Sequence, residues 1–123
     1  MSNQLKFIEE LIKYINTFTT CYYEQAPTSG TFPYSVLIPP NTTSLDSGNL
    51  TMLDIEIYAS EQVGTEQVEA LCDLIKNKLD NYLLNSANNF SCHINFEGYY
   101  NMRENEQDLM ARRLTFSARV FYL

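Results

Sequence analysis

The segment between residues 22 and 34 constrains the fold most, because it separates two runs of β-forming residues by a stretch rich in proline, glycine, serine and threonine. Pro27 and Pro33 fix their own φ angles and push the residues before them toward extended geometry. The flanking runs, residues 18–23 and 34–38, contain β-branched and aromatic side chains. We therefore predict a turn that joins two antiparallel strands.

Other segments have the periodicity of helices and strands. Residues 3–17 and 65–83 place apolar side chains every three or four positions, as an amphipathic helix does. Strict alternation of apolar and polar side chains predicts further strands over residues 50–58, 90–97 and 114–123.

The order of these elements predicts an α+β fold. We expect a single antiparallel, at most mixed, β-sheet of about four to five strands with the two amphipathic helices packed on one face. Residues 39–49 lack periodicity and contain almost nothing to bury, so we expect an exposed, flexible loop there. A chain of 123 residues that is 45% hydrophobic suits one core, so residues 1–123 are expected to form a single domain.

The composition excludes several classes of protein. A formal net charge of -7 argues against a protein that binds duplex nucleic acid, because phosphate affinity requires concentrated Lys and Arg. Cys21, Cys72 and Cys92 are odd in number and widely spaced, which fits neither a disulfide framework nor a paired zinc motif and favours a reducing cytoplasm. No stretch has the length and apolarity of a membrane span or the pattern of a signal peptide.

Charge is distributed unevenly along the chain. Residues 1–60 and 61–102 each carry two basic and six acidic side chains, whereas residues 103–123 carry four basic and three acidic ones. All four arginines lie in this last segment. Arginine and aromatic side chains are favoured at protein interfaces, so we predict a protein-contact surface from them and from the loop. The candidate residues are Tyr99, Tyr100, Arg103, Arg112, Arg113, Arg119, Leu45 and Asp46.

No catalytic, cofactor-binding or metal-binding residues are predicted. Cys92 and His93 are neighbours on a strand and therefore point to opposite faces, so they cannot form a metal pair. A catalytic site would require His93 to lie across the sheet from Asp54 or Glu56, but a solvated strand histidine is the commoner case. The three cysteines are expected to pack as small apolar side chains rather than to act as nucleophiles.

Several short motifs together resemble a known family. They are the Ala26-Pro27 to Phe32-Pro33-Tyr34 turn, the strand Leu53-Asp54-Ile55-Glu56-Ile57-Tyr58 with the helix after it, and the closing Arg112-Arg113-Leu114-Thr115-Phe116 strand. The chain is similar in these respects to the tail-terminator or minor tail proteins of long-tailed bacteriophages and prophages. A neighbouring head-tail joining component fits almost as well.

This resemblance implies a non-enzymatic virion component, assembled in the bacterial host cytoplasm without a membrane or cofactor. Such a subunit forms a homo-oligomeric ring, often a hexamer, on the head-proximal end of the tail tube. The ring ends polymerisation of the tail-tube protein and joins the tail to a head-completion or connector protein, and DNA passes through its channel only as cargo. The resemblance also implies that the loop at 39–49 becomes ordered on assembly. In such a ring, the uneven charge suits acidic helix faces that line or rim the channel and arginines that contact a neighbouring subunit.

A second interpretation belongs to a different class of protein. The same composition and elements suit a cytosolic α+β binding module whose sheet or pocket holds a small ligand or a protein partner. Ring-shaped particles would favour the assembly subunit, whereas a monomer with saturable ligand binding would favour the module.

Overall fold

The computed structural model describes six stretches of the chain: residues 3–27, 33–45, 48–60, 65–87, 89–102 and 109–122. Within them lie two helices and seven strands. The helices are α1 (Asn3–Ile15) and α2 (Thr65–Leu79). The strands are β1 (Cys21–Tyr23), β2 (Tyr34–Leu37), β3 (Asn41–Leu45), β4 (Gly48–Ser60), β5 (Tyr82–Ser86), β6 (Phe90–Met102) and β7 (Leu109–Tyr122).

All seven strands belong to one curled, mixed sheet. Its order is β1-β2-β4-β7-β6-β5, and β3 pairs with β4 on the same side as β2, beyond the end of β2. The prediction of four to five strands in an α+β fold was therefore wrong, since the described residues form a mostly β structure. Two short strands, β3 and β5, account for the difference.

The strands on either side of the opening turn are neighbours, but they are parallel and not antiparallel as predicted. Cys21 pairs with Ser35 and Tyr23 with Leu37. The ten residues between β1 and β2 are enough to return the chain to the starting end of a three-residue strand, since an extended chain covers about 3.3 Å per residue. The prolines therefore mark a crossover between parallel strands rather than a tight hairpin.

The segment 39–49, predicted to be a loop, contains β3. Thr42 pairs with Thr51 of β4, and their hydroxyls lie 3.1 Å apart. The side chains of residues 41–44 are exposed, as expected, but the backbone forms a hairpin with β4. The sequence pattern missed this strand because none of these side chains alternates into the core.

Helix α2 ends earlier than its apolar spacing predicted. Asn81 has a φ of 58°, the left-handed conformation that commonly ends helices, and the amide of Asp80 donates the last helical bond to Lys76. Tyr82 and Leu83 keep the helical spacing but belong to β5, where Leu83 is 62% exposed.

One face of the sheet carries the hydrophobic core. Alternate residues of the central strands, such as Leu53, Ile55 and Phe116, are fully buried there. Both helices contribute to the same cluster; its helical members are Phe7, Ile8, Leu11, Ile15, Val68, Cys72, Ile75 and Leu79. The side chains between the core residues point to the opposite side, which we call the outer face.

A β-bulge in β6 changes which residues point to the core. Phe96 pairs with Phe116 of β7, but Gly98 already pairs with Thr115, so Glu97 is the extra residue. The sequence predicted that this strand ends near residue 97, yet it continues to residue 102. Beyond the bulge, odd-numbered residues of β6 face the helices and even-numbered ones face outward.

Candidate functional site

The structure separates the predicted contact residues onto the two sides of the sheet. Tyr99 and Arg112 lie on the helix side, whereas Tyr100, Arg113 and Arg119 lie on the outer face. Neighbouring residues of a strand point to opposite faces, so Arg112 and Arg113 cannot belong to one surface. Arg103 and Asp46 are outside the described residues; Leu45 ends β3, and its side chain is also outside them.

On the helix side, three polar side chains connect α2 to the sheet. The Tyr99 hydroxyl donates a 2.5 Å hydrogen bond to Oε1 of Glu69 on α2. Nε of Arg112 donates to the same carboxylate oxygen at 3.2 Å and to the Tyr99 hydroxyl at 2.9 Å. The bulge makes this contact possible because it turns Tyr99 toward the helix.

The environment of this network favours its present protonation state. Desolvation, followed by the hydrogen bond to Glu69, raises the pKa of Tyr99. Desolvation on its own would lower the pKa of Arg112, but the hydrogen bonds to Tyr99 and Glu69 raise it overall. The two groups therefore remain a neutral phenol and a cation at neutral pH.

A cavity of about 260 Å³ opens beside this network, between α2 and strands β6 and β7. We call it the α2 cavity; its lining residues are Glu69, Cys72, Asp73, Lys76, Phe96, Tyr99 and Leu114. The Lys76 ammonium lies 4.7 Å from the centre of the Phe96 ring, a cation–π contact. Burial, followed by the charge of Glu69, raises the pKa of Cys72 to about 12, so this thiol stays protonated at neutral pH and is a poor nucleophile.

On the outer face, a second polar network surrounds a buried carboxylate. Glu56 is 8% exposed, and its Oε2 accepts a 2.7 Å ion-paired hydrogen bond from Arg113. Its Oε1 accepts a 2.8 Å hydrogen bond from the Tyr58 hydroxyl. The hydrogen bond to Glu56 raises the pKa of Arg113. Arg113 is thus held within its own chain, and Thr115 similarly donates to Asp54 at 2.7 Å.

Aromatic rings extend this network along the outer face toward the sheet edge. The rings of Tyr22 and Tyr34 are 5.7 Å apart, and those of Tyr34 and Tyr58 are 5.5 Å apart. The sequence pattern did not predict that these three tyrosines would lie together. The alternation in β4 put Tyr58 on the polar face, but nothing local showed that β1 and β2 would bring two further rings beside it.

Of the predicted arginines that the structure describes, Arg119 remains available to a partner. Its side chain is exposed and makes no hydrogen bond or ion pair with any residue in the described stretches. It lies across from His93 and Leu50, and Phe121, 42% exposed, follows on the same face. Tyr100, 55% exposed, lies further along this face over Gly98.

His93 does not lie beside the carboxylates that the sequence analysis named as possible catalytic partners. Nε2 of His93 contacts Oδ1 of Asn81 at 2.6 Å, and the residues opposite His93 are Leu83 and Arg119, not Asp54 or Glu56.

Over the six described stretches, no cluster of three or more His, Cys, Asp or Glu side chains could hold a metal ion. Neither helix of this part of the chain is long and apolar enough to cross a membrane.

Comparisons with known proteins give a structural likeness only. No family model and no curated protein matches the sequence. The fold is similar to a chain of the solved structure "Virion of native gene transfer agent (GTA) particle", with a TM-score of 0.63 and 20% identity. The match covers 89% of this chain and 83% of that chain. At this identity the two proteins share a fold.

Proposed function

We propose that this protein is a non-enzymatic structural subunit of a phage-like particle. The observation that carries the proposal is the likeness of nearly the whole chain to a chain of the gene transfer agent virion. Because a fold can serve several functions, the site must also be compatible with the role. The exposed Tyr100 and Arg119 on a sheet face suit protein contact, which an assembly subunit requires.

Within that class, we propose a tail terminator or the neighbouring head-tail joining component. Copies of the chain form a ring, hexameric by the sequence resemblance, on the head-proximal end of the tail tube. The ring contacts the tail-tube protein on one side and a head-completion or connector protein on the other. The net charge of -7 supports passage of DNA through the channel without tight binding.

Tube length tests this proposal directly. Tail-tube protein encoded in the same genome is polymerised with and without this chain, and lengths are measured by negative-stain electron microscopy. We expect substoichiometric amounts to shorten the tubes and to place a ring at one end. Tubes of unchanged length without end rings would overturn the terminator role.

A pair of charge reversals tests the contact surface in the same assay. Arg119→Glu changes an exposed side chain of the outer face, and Lys13→Glu makes the same charge change on the exposed side of α1. If Arg119 contacts a partner, only the first variant should lose the capping of tubes. Equal activity of the two variants would remove Arg119 from the contact surface.

The α2 cavity favours a second candidate function, a binding module for a small ligand. Its volume of about 260 Å³ is below the roughly 300–1,000 Å³ of most small-molecule sites, so we rank this function second. Two results together would favour the module. Tube length would be unchanged by the protein, and the amide NMR signals of α2 would shift saturably on addition of a member of a metabolite library.

A further inference from the structure

Two short strands form opposite edges of the same part of the sheet. One row of paired residues runs from Thr43 in β3 through Leu50, Arg119 and His93 to Leu83 in β5. Strands β3 and β5 are each five residues long. Within the described residues, no strand pairs with the free side of either. At both ends of this row, the outward backbone N–H and C=O groups of β3 and β5 therefore have no strand partner in the described part of the chain.

Neither edge has the features that usually prevent pairing with another chain. The sequences Asn-Thr-Thr-Ser-Leu and Tyr-Leu-Leu-Asn-Ser contain no charged residue and no proline. Their pairing with β4 and β6 is regular, without a bulge. Soluble proteins normally protect an edge with charges, proline, bulges or a very short strand. By contrast, the β1 edge is only three residues long and is followed by Glu24 with a φ of 69°.

The directions of the strands determine how two copies can join. Each neighbouring pair in the series β3, β4, β7, β6 and β5 is antiparallel, so β3 and β5 run in the same direction. When neighbouring copies keep the same face of the sheet on the same side, as in a ring, a contact between β5 of one copy and β3 of the next is therefore parallel and repeats head to tail. Contacts of this kind use two different surfaces and generate closed rings when the rotation closes.

We propose that copies of this protein assemble through their sheet edges, with β5 of one copy pairing in parallel with β3 of its neighbour. The partner is a second copy of this chain, recognised by backbone hydrogen bonds along a strand of five residues. The inference rests on the proposed function, since a ring requires such a repeating contact. The contact is small, so we expect it to form at high protein concentration or on a tube end.

Cysteine cross-linking tests whether the two edges pair with each other in a head-to-tail contact. Thr43→Cys and Leu83→Cys place thiols on exposed outer-face positions of the two edges, while the native Cys21, Cys72 and Cys92 are buried. On oxidation, we expect a mixture of the two single variants to give a heterodimer. The double variant should give a ladder that stops at the number of copies in the ring.

Controls separate edge pairing from random collision. Leu74→Cys places a thiol on α2 at a side chain that is 36% exposed in the native chain, and it should not cross-link with either edge variant. Homodimers of Thr43→Cys or of Leu83→Cys as the main products would overturn the proposal, because they would indicate a two-fold contact.

A charged edge gives the independent test. Leu83→Lys adds the kind of residue that protects natural edges, and Leu74→Lys is the matched change on α2. We expect the first variant to lose at least tenfold in the fraction of rings by native mass spectrometry, with an unchanged urea midpoint.

Rings that persist in Leu83→Lys, or that give no edge cross-links, would overturn the edge pairing and leave the proposed function standing. If tubes are not shortened and yet the edges cross-link, the proposed function fails and the edge contact stands. Tubes of unchanged length, together with the absence of end rings and of edge cross-links, would overturn both.

Discussion

Stability at alkaline pH should depend on the buried thiol of Cys92. This side chain is 1% exposed in the core side of β6, and burial raises its pKa from 9.0 to about 12. A pKa that is higher in the folded than in the unfolded chain means that the unfolded state loses its proton first. The contribution to stability is therefore complete below pH 9 and decreases as the pH rises from 9 to about 12.

The size of this loss follows from the two pKa values. At about pH 10.5 the unfolded thiol is mostly ionised and the folded one is not, so linkage gives a loss of about 2 kcal/mol relative to about pH 8. Cys92→Ala removes this term, together with the charge interaction that, after burial, contributes to the raised pKa of Tyr122. Urea unfolding at the two pH values should therefore show an alkaline loss about 2 kcal/mol smaller in the variant than in the native chain.

Each chain is compared with itself at the two pH values, so the effect of losing the sulfur atom on the free energy of unfolding at neutral pH cancels. Cys72→Ala is a useful companion because burial, with a further contribution from Glu69, also raises the pKa of Cys72 to about 12. An equal alkaline loss in Cys92→Ala and in the native chain would refute the reasoning, since it would mean that the thiol is not desolvated in the folded state.

Three further substitutions test the packing, a helix end and the network beside α2, each by urea unfolding at neutral pH. Phe116→Ala empties a fully buried position that packs edge-on against Phe96 and should cost about 3–5 kcal/mol, whereas a cost near 1 would indicate a loosely packed core. Asn81→Ala should cost about 1 kcal/mol and Asn81→Gly less, because the left-handed φ of 58° suits glycine; the reverse order would contradict this origin. Tyr99→Phe should cost about 0.5–1 kcal/mol, because the lost hydroxyl bonds are partly exposed to solvent. No change in stability would show that water replaces the hydroxyl of Tyr99 without loss.

The long strands could be predicted from the sequence because one face of each is buried. Leu53, Ile55 and Ile57 alternate with polar residues and are all fully buried in β4. The first helix was predictable for the same reason, since Phe7 and Leu11 lie on one stripe and are also fully buried. Where burial alone determines which positions are apolar, the spacing of the apolar residues indicates whether the segment is a helix or a strand.

The short strands could not be predicted in this way. Strand β3 exposes the side chains of residues 41–44, so its formation depends on backbone pairing with β4, which leaves no trace in hydrophobic periodicity. In β5, Leu84 is buried and Leu83 is not, but two residues are too few to outweigh a helical spacing that continues from α2. The local conformation of Asn81 ends the helix, and apolar spacing does not reveal it.

The candidate site shows the same division between local and non-local information. That Arg112 and Arg113 face opposite sides follows from strand geometry alone. Which of them faces α2 follows from the register with β4, where Arg112 pairs with Ile57 on the core side. Tyr99 joins Arg112 only because of the bulge at Glu97, a feature that alternation cannot predict.

The contacts of these arginines within their own chain determine which substitutions can test assembly. Arg112 and Arg113 are both bonded to carboxylates of their own chain, so reversing either charge would damage the fold as well as any contact. A loss of rings in such variants would therefore not identify an interface. Leu83 and Arg119 are exposed, and neither has an ion pair to lose within the described residues. Changes at these two positions alter the edge or the outer face alone, and for that reason they are the decisive tests of how the copies join.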